Sequence, residues 1–209
     1  MNQHVASLLG RVQTRLLRVT ARNPVLRQLS NHHFAAPGRM WRAGLGLEAS
    51  AALGLRENSA ICIAVASELI HNASLVQDDW MDGDRERRGQ QALWTVAGDA
   101  SAVLYADYLL MAAMAELAAV DVSAGQRQLL IRLTSRRVEN AVAGQLREVQ
   151  LRSCPIGTAE YLGITAAKTG AILSLPVELA LAVAGEWRRH GRAVRKGLEL
   201  LGLQALERM

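Results

Sequence analysis

Aromatic residues, cysteine and lysine are all scarce in this sequence of 209 residues. Aromatic side chains make up 4% of it, with one Phe and three Tyr, and this composition argues against an all-β fold. The two cysteines, Cys62 and Cys154, lie far apart and have no metal-ligand spacing. This excludes a disulfide framework and predicts a reducing, cytoplasmic location.

Long uninterrupted apolar runs are also missing. A membrane span needs roughly 18 consecutive apolar residues. The stretch 101–120 is interrupted by Asp107 and Glu116, and the stretch 171–185 is interrupted by Glu178. The sequence therefore predicts no membrane span.

Charge of one sign is not in large excess, because 24 Lys and Arg face 19 Asp and Glu, a net charge of +5. Without a basic patch interleaved with aromatics, this balance predicts no nucleic-acid partner. Residues 1–47 contain no acidic residue, and their regularly spaced arginines resemble those of a transit peptide. Leu8, Val12 and Leu16 recur at helical spacing, however, and favour a first amphipathic helix.

Apolar residues make up 50% of the sequence, which is enough for a substantial core. Ala, Leu and Val dominate, and we expect a single all-α domain over residues 1–209, a bundle of about seven helices. One long helix is predicted from Ser59 to Gln77, followed by a charged loop. Pro176 predicts a kink or a helix boundary. Further helices are predicted over 99–120, 124–152, 158–185 and 187–208.

Three aspartates crowd the predicted end of the long helix. Asp78 and Asp82 are four residues apart and share a helix face, close to a helix C-terminus that disfavours negative charge. A solvated acidic helix end is one interpretation of this pattern. A bound divalent cation is the other, because Mg²⁺ is commonly held by one or two carboxylates together with substrate phosphates.

Two arginines favour the metal interpretation. Arg87 and Arg88 follow Asp82 closely and precede Gly89. Guanidinium groups bind phosphate oxygens through paired hydrogen bonds. Carboxylates for a metal and arginines for phosphate in one segment indicate a site for a diphosphate and a metal ion.

The segment from Leu69 to Gly89 resembles the first aspartate-rich motif of the trans-isoprenyl (polyprenyl) diphosphate synthases. It combines an Asp-Asp-x-x-Asp run with a spacer and Arg-Arg-Gly. The resemblance implies the isoprenoid-synthase fold, a bundle of long helices around a central cavity. It also implies a reaction in which Mg²⁺ assists ionisation of an allylic prenyl diphosphate, which then condenses with isopentenyl diphosphate. Such a reaction needs cationic side chains and exclusion of water.

Three further segments support the resemblance, which spans about residues 35–185. Gly38 to Arg42 resembles the family's Gly-Lys-x-x-Arg, with Arg39 in place of lysine. Gly144 to Glu148 resembles Gly-Gln-x-x-Asp, with Glu in place of Asp, and Lys168 to Gly170 resembles its Lys-Thr pair.

The resemblance implies a role for each matching side chain. The expected metal ligands are Asp78, Asp82 and Glu148, with Asp79 in support. The expected ligands of the isopentenyl diphosphate headgroup are Arg39, Arg42, His71 and Arg88. The expected contacts of the allylic diphosphate are Arg87 and Lys168. The side chains expected to border the forming carbocation are Gln145 and Thr169.

His71 and two small residues carry further expectations. A histidine on an apolar helix is commonly a core residue, but His71 shares a helix face with Asp78, which favours anion contact. Bulky residues one turn before the aspartates stop chain elongation in this family. Ala73 and Ser74 stand there, so the resemblance implies a product longer than farnesyl.

One departure from the family pattern leaves two hypotheses open. Relatives carry a second aspartate-rich motif, whereas here Gly197 to Gln204 resembles the approach to it and Glu207 is the only acid near its place. The first hypothesis is an active prenyltransferase that assembles as a homodimer or that has the open side of its cavity closed by a different subunit. The second is a non-catalytic subunit that binds diphosphates or pairs with a complete synthase. A terpene cyclase shares the aspartates, but Arg87 and Lys168 favour a synthase.

Overall fold

The computed structural model describes residues 3–36, 38–151, 157–194 and 197, and most of them are helical, as the sequence predicts. A pair of two-residue strands and a π-helical segment, Ala166–Gly170, are the exceptions to regular α-helix. The α-helices are α1 Gln3–Thr20, α2 Pro24–His33, α3 Trp41–Ala52, α4 Glu57–Asp82, α5 Leu93–Ala97, α6 Asp99–Ala118, α7 Ala124–Leu151, α8 Thr158–Thr165 and α9 Ala171–Val183. Residues 187–194 are helical as well. The end of the predicted helix 187–208 lies outside the described residues, as does Glu207.

The chain divides into two compact units. One comprises residues 1–48 and 57–120, and the other comprises residues 49–56 and 121–209. We call them the first and the second unit. The expectation of a single domain over the whole chain stays a prediction.

Helix α4 is the central element of the first unit. Its side chains from Ser59 to Ile70 are buried without interruption, and it packs against α6 and α1. A helix that is buried on all faces needs no amphipathic pattern. The helix begins two residues before the predicted start at Ser59 and ends five residues after the predicted end at Gln77, so the three aspartates complete its last turns.

Helix α1 is amphipathic, as predicted. Val5, Leu8, Val12 and Leu16 are all buried at a spacing of three or four residues. Its polar side is tied to the same unit by ion pairs, one of which joins Arg15 Nε to Glu116 Oε2 at 2.7 Å. The N-terminal apolar periodicity therefore builds part of the core.

The predicted charged loop after α4 contains a small β-hairpin. Strands β1, Glu86–Arg87, and β2, Gln90–Gln91, pair antiparallel. The two turn residues, Arg88 and Gly89, both have positive φ, of 56° and 75°. Positive φ at both central residues defines a type I′ turn, whose twist matches that of the two strands. The sequence prediction missed this hairpin and the short helix α5.

The second unit is built from α7, α8, the π-helical segment and α9. Helices α7 and α9 are joined in its core, where Arg137 Nε donates to Glu178 Oε2 at 3.1 Å and Ser174 Oγ donates to Glu178 Oε1 at 2.8 Å. Of the two outcomes predicted at Pro176, the helix boundary is wrong because Pro176 lies inside α9, and the kink stays a prediction. The irregular segment comes earlier, at Ala166–Gly170, where one extra residue enters the helical turn.

Three helices of the described residues are long and apolar enough to cross a membrane, judged by length and composition alone. They are Glu57–Asp82, Asp99–Ala118 and the continuous helix Thr158–Val183, whose most apolar stretches are 83%, 44% and 61% buried within the structure. An isolated acid lowers the average hydropathy of such a stretch only a little. The expected absence of a membrane span therefore stays a prediction.

Candidate functional site

The last turns of α4 and the hairpin meet through an ion pair. Arg87 Nε donates a hydrogen bond of 2.5 Å to Asp79 Oδ1, and Arg87 Nη2 contacts the same oxygen. Burial raises the pKa of Asp79, and the hydrogen bond from Arg87 opposes that rise. The bond also raises the pKa of Arg87 and keeps the guanidinium charged. Asp79 is 3% exposed, so it fixes the hairpin rather than facing solvent.

The other two aspartates are more accessible. Asp78 is partly buried, and Asp82 is exposed in the final turn of α4. Within the described residues, no group of three or more His, Cys, Asp or Glu side chains gathers as a metal site. Two carboxylates fit Mg²⁺ that also receives oxygens from a diphosphate and from water, and they do not fit an all-protein cage.

One pocket in the first unit brings together the four residues expected to bind the isopentenyl diphosphate headgroup. Its lining includes Arg39, Arg42, His71 and Arg88. They come from the segment before α3, from α3 itself, from α4 and from the hairpin turn. Three guanidinium groups around one pocket make it suitable for a doubly or triply charged anion.

The absence of a side chain at Gly38 leaves room for the guanidinium group of Arg88. A Cβ built on Gly38 would lie 2.5 Å from Arg88 Nη2 and 2.7 Å from Arg88 Cζ. Arg88 Nη1 also lies 3.4 Å from the carbonyl oxygen of Ala36. The positive φ of Arg88 is costly for a residue with a side chain, by roughly 1–3 kcal/mol. Arg88 therefore reaches the pocket at an energetic cost to the backbone.

The pocket keeps its histidine neutral. Burial, and then the charges of Arg42, Arg88 and Arg87, lower the pKa of His71 from 6.5 to about 2. Burial also lowers the pKa of Arg42, whose Nε is buried without a hydrogen-bond partner among the described residues. A buried N–H group without a partner is unfavourable, and an anion in the pocket would relieve that cost.

Two histidines that the sequence interpretation left without a role hold this region together. His33 Nε2 lies 3.0 Å from Asn72 Oδ1 on α4. Because the Asn72 amide nitrogen donates to the carbonyl oxygen of Glu68, the ring nitrogen must be the donor. His32 Nε2 lies 2.8 Å from the carbonyl oxygen of Gln91 in strand β2. No local sequence signal reveals these contacts, since the partners are far apart in the chain.

The expected site residues of the second unit lie around the π-helical segment. Lys168 Nζ donates to Glu148 Oε2 at 2.9 Å. Gln145 is 8% exposed, and within the described residues neither of its amide atoms has a hydrogen-bond partner. A Cβ on Gly144 would lie 3.0 Å from the backbone nitrogen of Lys168, so glycine permits the close approach. Thr169 follows in the same π-helical segment, a feature that is frequent at functional sites.

The two small residues before the aspartates differ in their surroundings. Ala73 is fully buried in the core of the first unit. Ser74 is partly exposed, and its Oγ donates to the carbonyl oxygen of His71 at 2.8 Å. Of the two positions, Ser74 is the more accessible.

The all-α fold, in which the long buried helix α4 ends in aspartates beside the arginine hairpin, is that of the isoprenoid synthases. The fold matches a geranylgeranyl pyrophosphate synthetase from the archaeon Geoglobus acetivorans with a TM-score of 0.83 and 25% identity, over 95% of this chain and 65% of that one. A polyprenyl synthetase from Streptomyces coelicolor matches with a TM-score of 0.84 and 26% identity, over 95% and 63% of the two chains. Residues 23–204 match the family model of the polyprenyl synthetases, and the chain belongs to this family.

Sequence comparison with curated proteins agrees. A (2E,6E)-farnesyl diphosphate synthase from Mycobacterium tuberculosis is 32% identical over 166 residues, which cover 79% of this chain and 45% of that protein. The chain thus spans about half the length of the curated relatives it matches. The membership of the family, which the sequence resemblance predicts, is confirmed.

Proposed function

We propose that this chain condenses isopentenyl diphosphate with an allylic prenyl diphosphate. In this reaction the allylic carbon–oxygen bond breaks, a carbon–carbon bond forms to the second substrate, and a proton and inorganic diphosphate leave. The observation that carries the proposal is the single pocket lined by Arg39, Arg42, His71 and Arg88, next in sequence and structure to the Asp79–Arg87 pair. Residues of these types bind diphosphates, and the reaction itself is inferred from membership of the polyprenyl synthetase family.

We propose that Mg²⁺ binds at Asp78 and Asp82, and the role of Glu148 as a metal ligand, which the family resemblance implies, stays a prediction. When bound, the ion neutralises the negative charge that develops on the leaving diphosphate. The chain's own contribution is to hold carboxylates at the end of a rigid, buried helix. Asp79 does not face solvent and acts by fixing Arg87, which in turn presents a permanent positive charge to the allylic diphosphate.

The pocket residues would act on the other substrate. Arg39, Arg42 and Arg88 would bind the headgroup of isopentenyl diphosphate and orient its double bond. His71 is neutral, so it can donate one N–H to a phosphate oxygen without adding charge. A bound anion would oppose the neighbouring guanidinium charges and raise the pKa of His71.

In the second unit we propose that Lys168 supplies a cation to the allylic diphosphate. The hydrogen bond from Lys168 Nζ to Glu148 Oε2 supports this role by holding the ammonium group. The amide of Gln145, which has no hydrogen-bond partner among the described residues, would offer a dipole to a developing positive charge. Thr169 would border the same carbocation. Assembly as a homodimer, or with a different subunit, and a cytoplasmic location also remain proposals. The described residues give no observation that favours the non-catalytic alternative.

Turnover tests this proposal directly. The chain is incubated with radiolabelled isopentenyl diphosphate, an allylic diphosphate and Mg²⁺, and prenyl products are extracted. We expect product from the parent chain and a loss on the order of 100-fold or more in Asp82→Ala, because charge stabilisation at the leaving group is removed. Asp107→Ala, an exposed aspartate on α6, is the matched control and keeps its activity. Binding of both substrates without any product would support the non-catalytic alternative instead.

A further inference from the structure

Glu68 is a buried carboxyl group that the reaction does not account for. It lies on α4 among apolar side chains and is 4% exposed. Isolated buried carboxyl groups are expensive, and they persist where hydrogen bonds or opposite charges compensate for the lost water. Glu68 also lines the pocket that contains Arg39, Arg42 and His71.

The partner of Glu68 is the beginning of α3. Glu68 Oε1 accepts a hydrogen bond of 2.9 Å from the backbone N–H of Ala43, the third residue of that helix. The first N–H groups of a helix have no partner within it, and a carboxylate side chain there satisfies one of them and complements the helix dipole. Glu68 thus fixes the end of α3 to α4.

The N-terminal turn of α3, which Glu68 holds, contains Arg42, one of the arginines that line the pocket. Arg42 immediately precedes Ala43, and Arg39 lies three residues before Arg42. Between the two arginines, Met40 has a positive φ of 49°, a conformation that few side-chain residues adopt without outside support. The hydrogen bond to the N–H of Ala43 fixes the backbone just after this strained residue. It therefore also fixes the direction in which the side chain of Arg42 extends from the backbone.

Charge supports the same arrangement. Among the electrostatic influences on Glu68, burial raises its pKa, while the Ala43 N–H, Arg42 and Arg88 favour the charged form. Conversely, Glu68 is the acidic group that offsets the burial of Arg42. Among the described residues that line the pocket, Glu68 is the one acidic side chain, and it faces the three guanidinium groups of Arg39, Arg42 and Arg88.

We propose that Glu68 is a positioning residue, which holds the start of α3 so that Arg42 meets the headgroup of isopentenyl diphosphate. This rests on the proposed function of the pocket. Glu68 acts through the backbone of Ala43 and through Arg42 and does not touch the substrate.

Two substitutions separate the reach of Glu68 from its charge. Glu68→Gln keeps an acceptor oxygen at the same distance and removes the charge, whereas Glu68→Asp keeps the charge and shortens the side chain by one methylene. Calorimetric titration gives the Kd for isopentenyl diphosphate and for a non-reactive allylic thiodiphosphate with Mg²⁺. We expect Glu68→Asp to weaken isopentenyl diphosphate binding roughly tenfold, equivalent to 1.4 kcal/mol, and to leave the allylic analogue within about twofold. Glu68→Gln should stay within about threefold for both ligands.

A double mutant tests whether Glu68 acts through Arg42. In an Arg42→Ala background, Glu68→Asp should cause no further loss, because residues that act as one unit are not additive. Ser67→Ala is the matched control: its buried hydroxyl donates to the Ile63 carbonyl oxygen of its own helix, and both Kd values should be unchanged.

The proposal is overturned if Glu68→Asp binds isopentenyl diphosphate as the parent does, or if it weakens the binding of both ligands equally. It is also overturned if the effects of Glu68→Asp and Arg42→Ala on the binding free energy are fully additive, or if Glu68→Gln is as impaired as Glu68→Asp. Loss of folded protein in either Glu68 variant would overturn it as well. Failure of the proposed function is distinguishable from all of these. In that case Arg42→Ala itself would bind isopentenyl diphosphate as the parent does, whatever the Glu68 variants show.

Discussion

The guanidinium group of Arg88 occupies the space that a side chain on residue 38 would take. A Cβ on Gly38 would lie within 2.7 Å of three atoms of that group. The obstacle is the far end of a flexible side chain, so an added methyl would displace the arginine rather than the backbone. The fold would survive the change, and the pocket would lose one of its cations.

Gly38→Ala is therefore expected to raise the KM for isopentenyl diphosphate roughly tenfold, the factor that corresponds to 1.4 kcal/mol, with little change in the KM for the allylic substrate. Initial rates at varied concentrations of each substrate measure both constants. Gly10→Ala is the matched control, since nothing lies within 4 Å of a Cβ at that helical position. Equal behaviour of the two variants would show that Arg88 does not bind this substrate.

The backbone conformation that brings Arg88 to the pocket also lowers the stability of the fold. Its φ of 56° lies in the left-handed region, which asparagine tolerates better than arginine and which type I′ turns favour for asparagine. Arg88→Asn should raise the free energy of unfolding by up to about 1 kcal/mol, while it weakens isopentenyl diphosphate binding. Urea unfolding and calorimetric titration measure the two effects. A variant that loses stability would contradict the assigned strain.

Product length should respond at Ser74 and not at Ala73. Ser74 is partly exposed and bonds only within its own helix turn, so Ser74→Phe can be accommodated and should shorten the main product by at least one isoprene unit. Ala73 is fully buried, and Ala73→Phe should cost about 1–3 kcal/mol of stability through overpacking. Chromatography of dephosphorylated products and thermal unfolding measure these outcomes. Unchanged products in a folded Ser74→Phe variant would remove Ser74 from the chain-length determinants.

Acid stability should depend on His71. The pKa of His71 is about 2 in the folded protein, whereas a histidine in the unfolded chain has the ordinary value of 6.5. Below pH 6.5 the unfolded chain therefore takes up a proton that the folded chain does not. The free energy of unfolding therefore falls as pH falls below 6.5, by about 1.4 kcal/mol for each pH unit from this one group.

His71→Gln removes that proton uptake. Relative to the parent, the variant should lose less stability between pH 7 and pH 5.5, by about 1.4 kcal/mol. Urea unfolding at the two pH values measures this difference. A His71→Gln curve parallel to that of the parent would mean that His71 is protonated alike in the folded and unfolded states.

The sequence predicts those parts of the molecule that depend on local patterns. The periodicity of α1 and α4 and the run from Asp78 to Asp82 need only neighbouring residues to be recognised. The contact between Glu68 and the backbone of Ala43 joins two helices and has no such signal. Likewise, the role of His33 depends on Asn72, which tertiary folding brings to it.

Backbone irregularities were the other part that could not be predicted. A two-residue strand such as β1 is too short to show alternation, and the turn carries Arg88 where asparagine or glycine is usual. The π-helical segment before α9 differs from an α-helix by one residue in the turn, which hydrophobic periodicity does not resolve. Both irregularities hold residues expected at the site, Arg88 and Lys168, where function can outweigh local preference.

The central claim is that the end of α4 holds magnesium together with a diphosphate, and calorimetric titration of the chain tests it most directly. Inorganic diphosphate is added with and without Mg²⁺ to the parent, to Asp82→Asn and to the control Asp107→Asn. We predict binding that requires both components, that is lost in Asp82→Asn and that is retained in Asp107→Asn. Diphosphate binding that is indifferent to Mg²⁺ and to Asp82 would contradict the account.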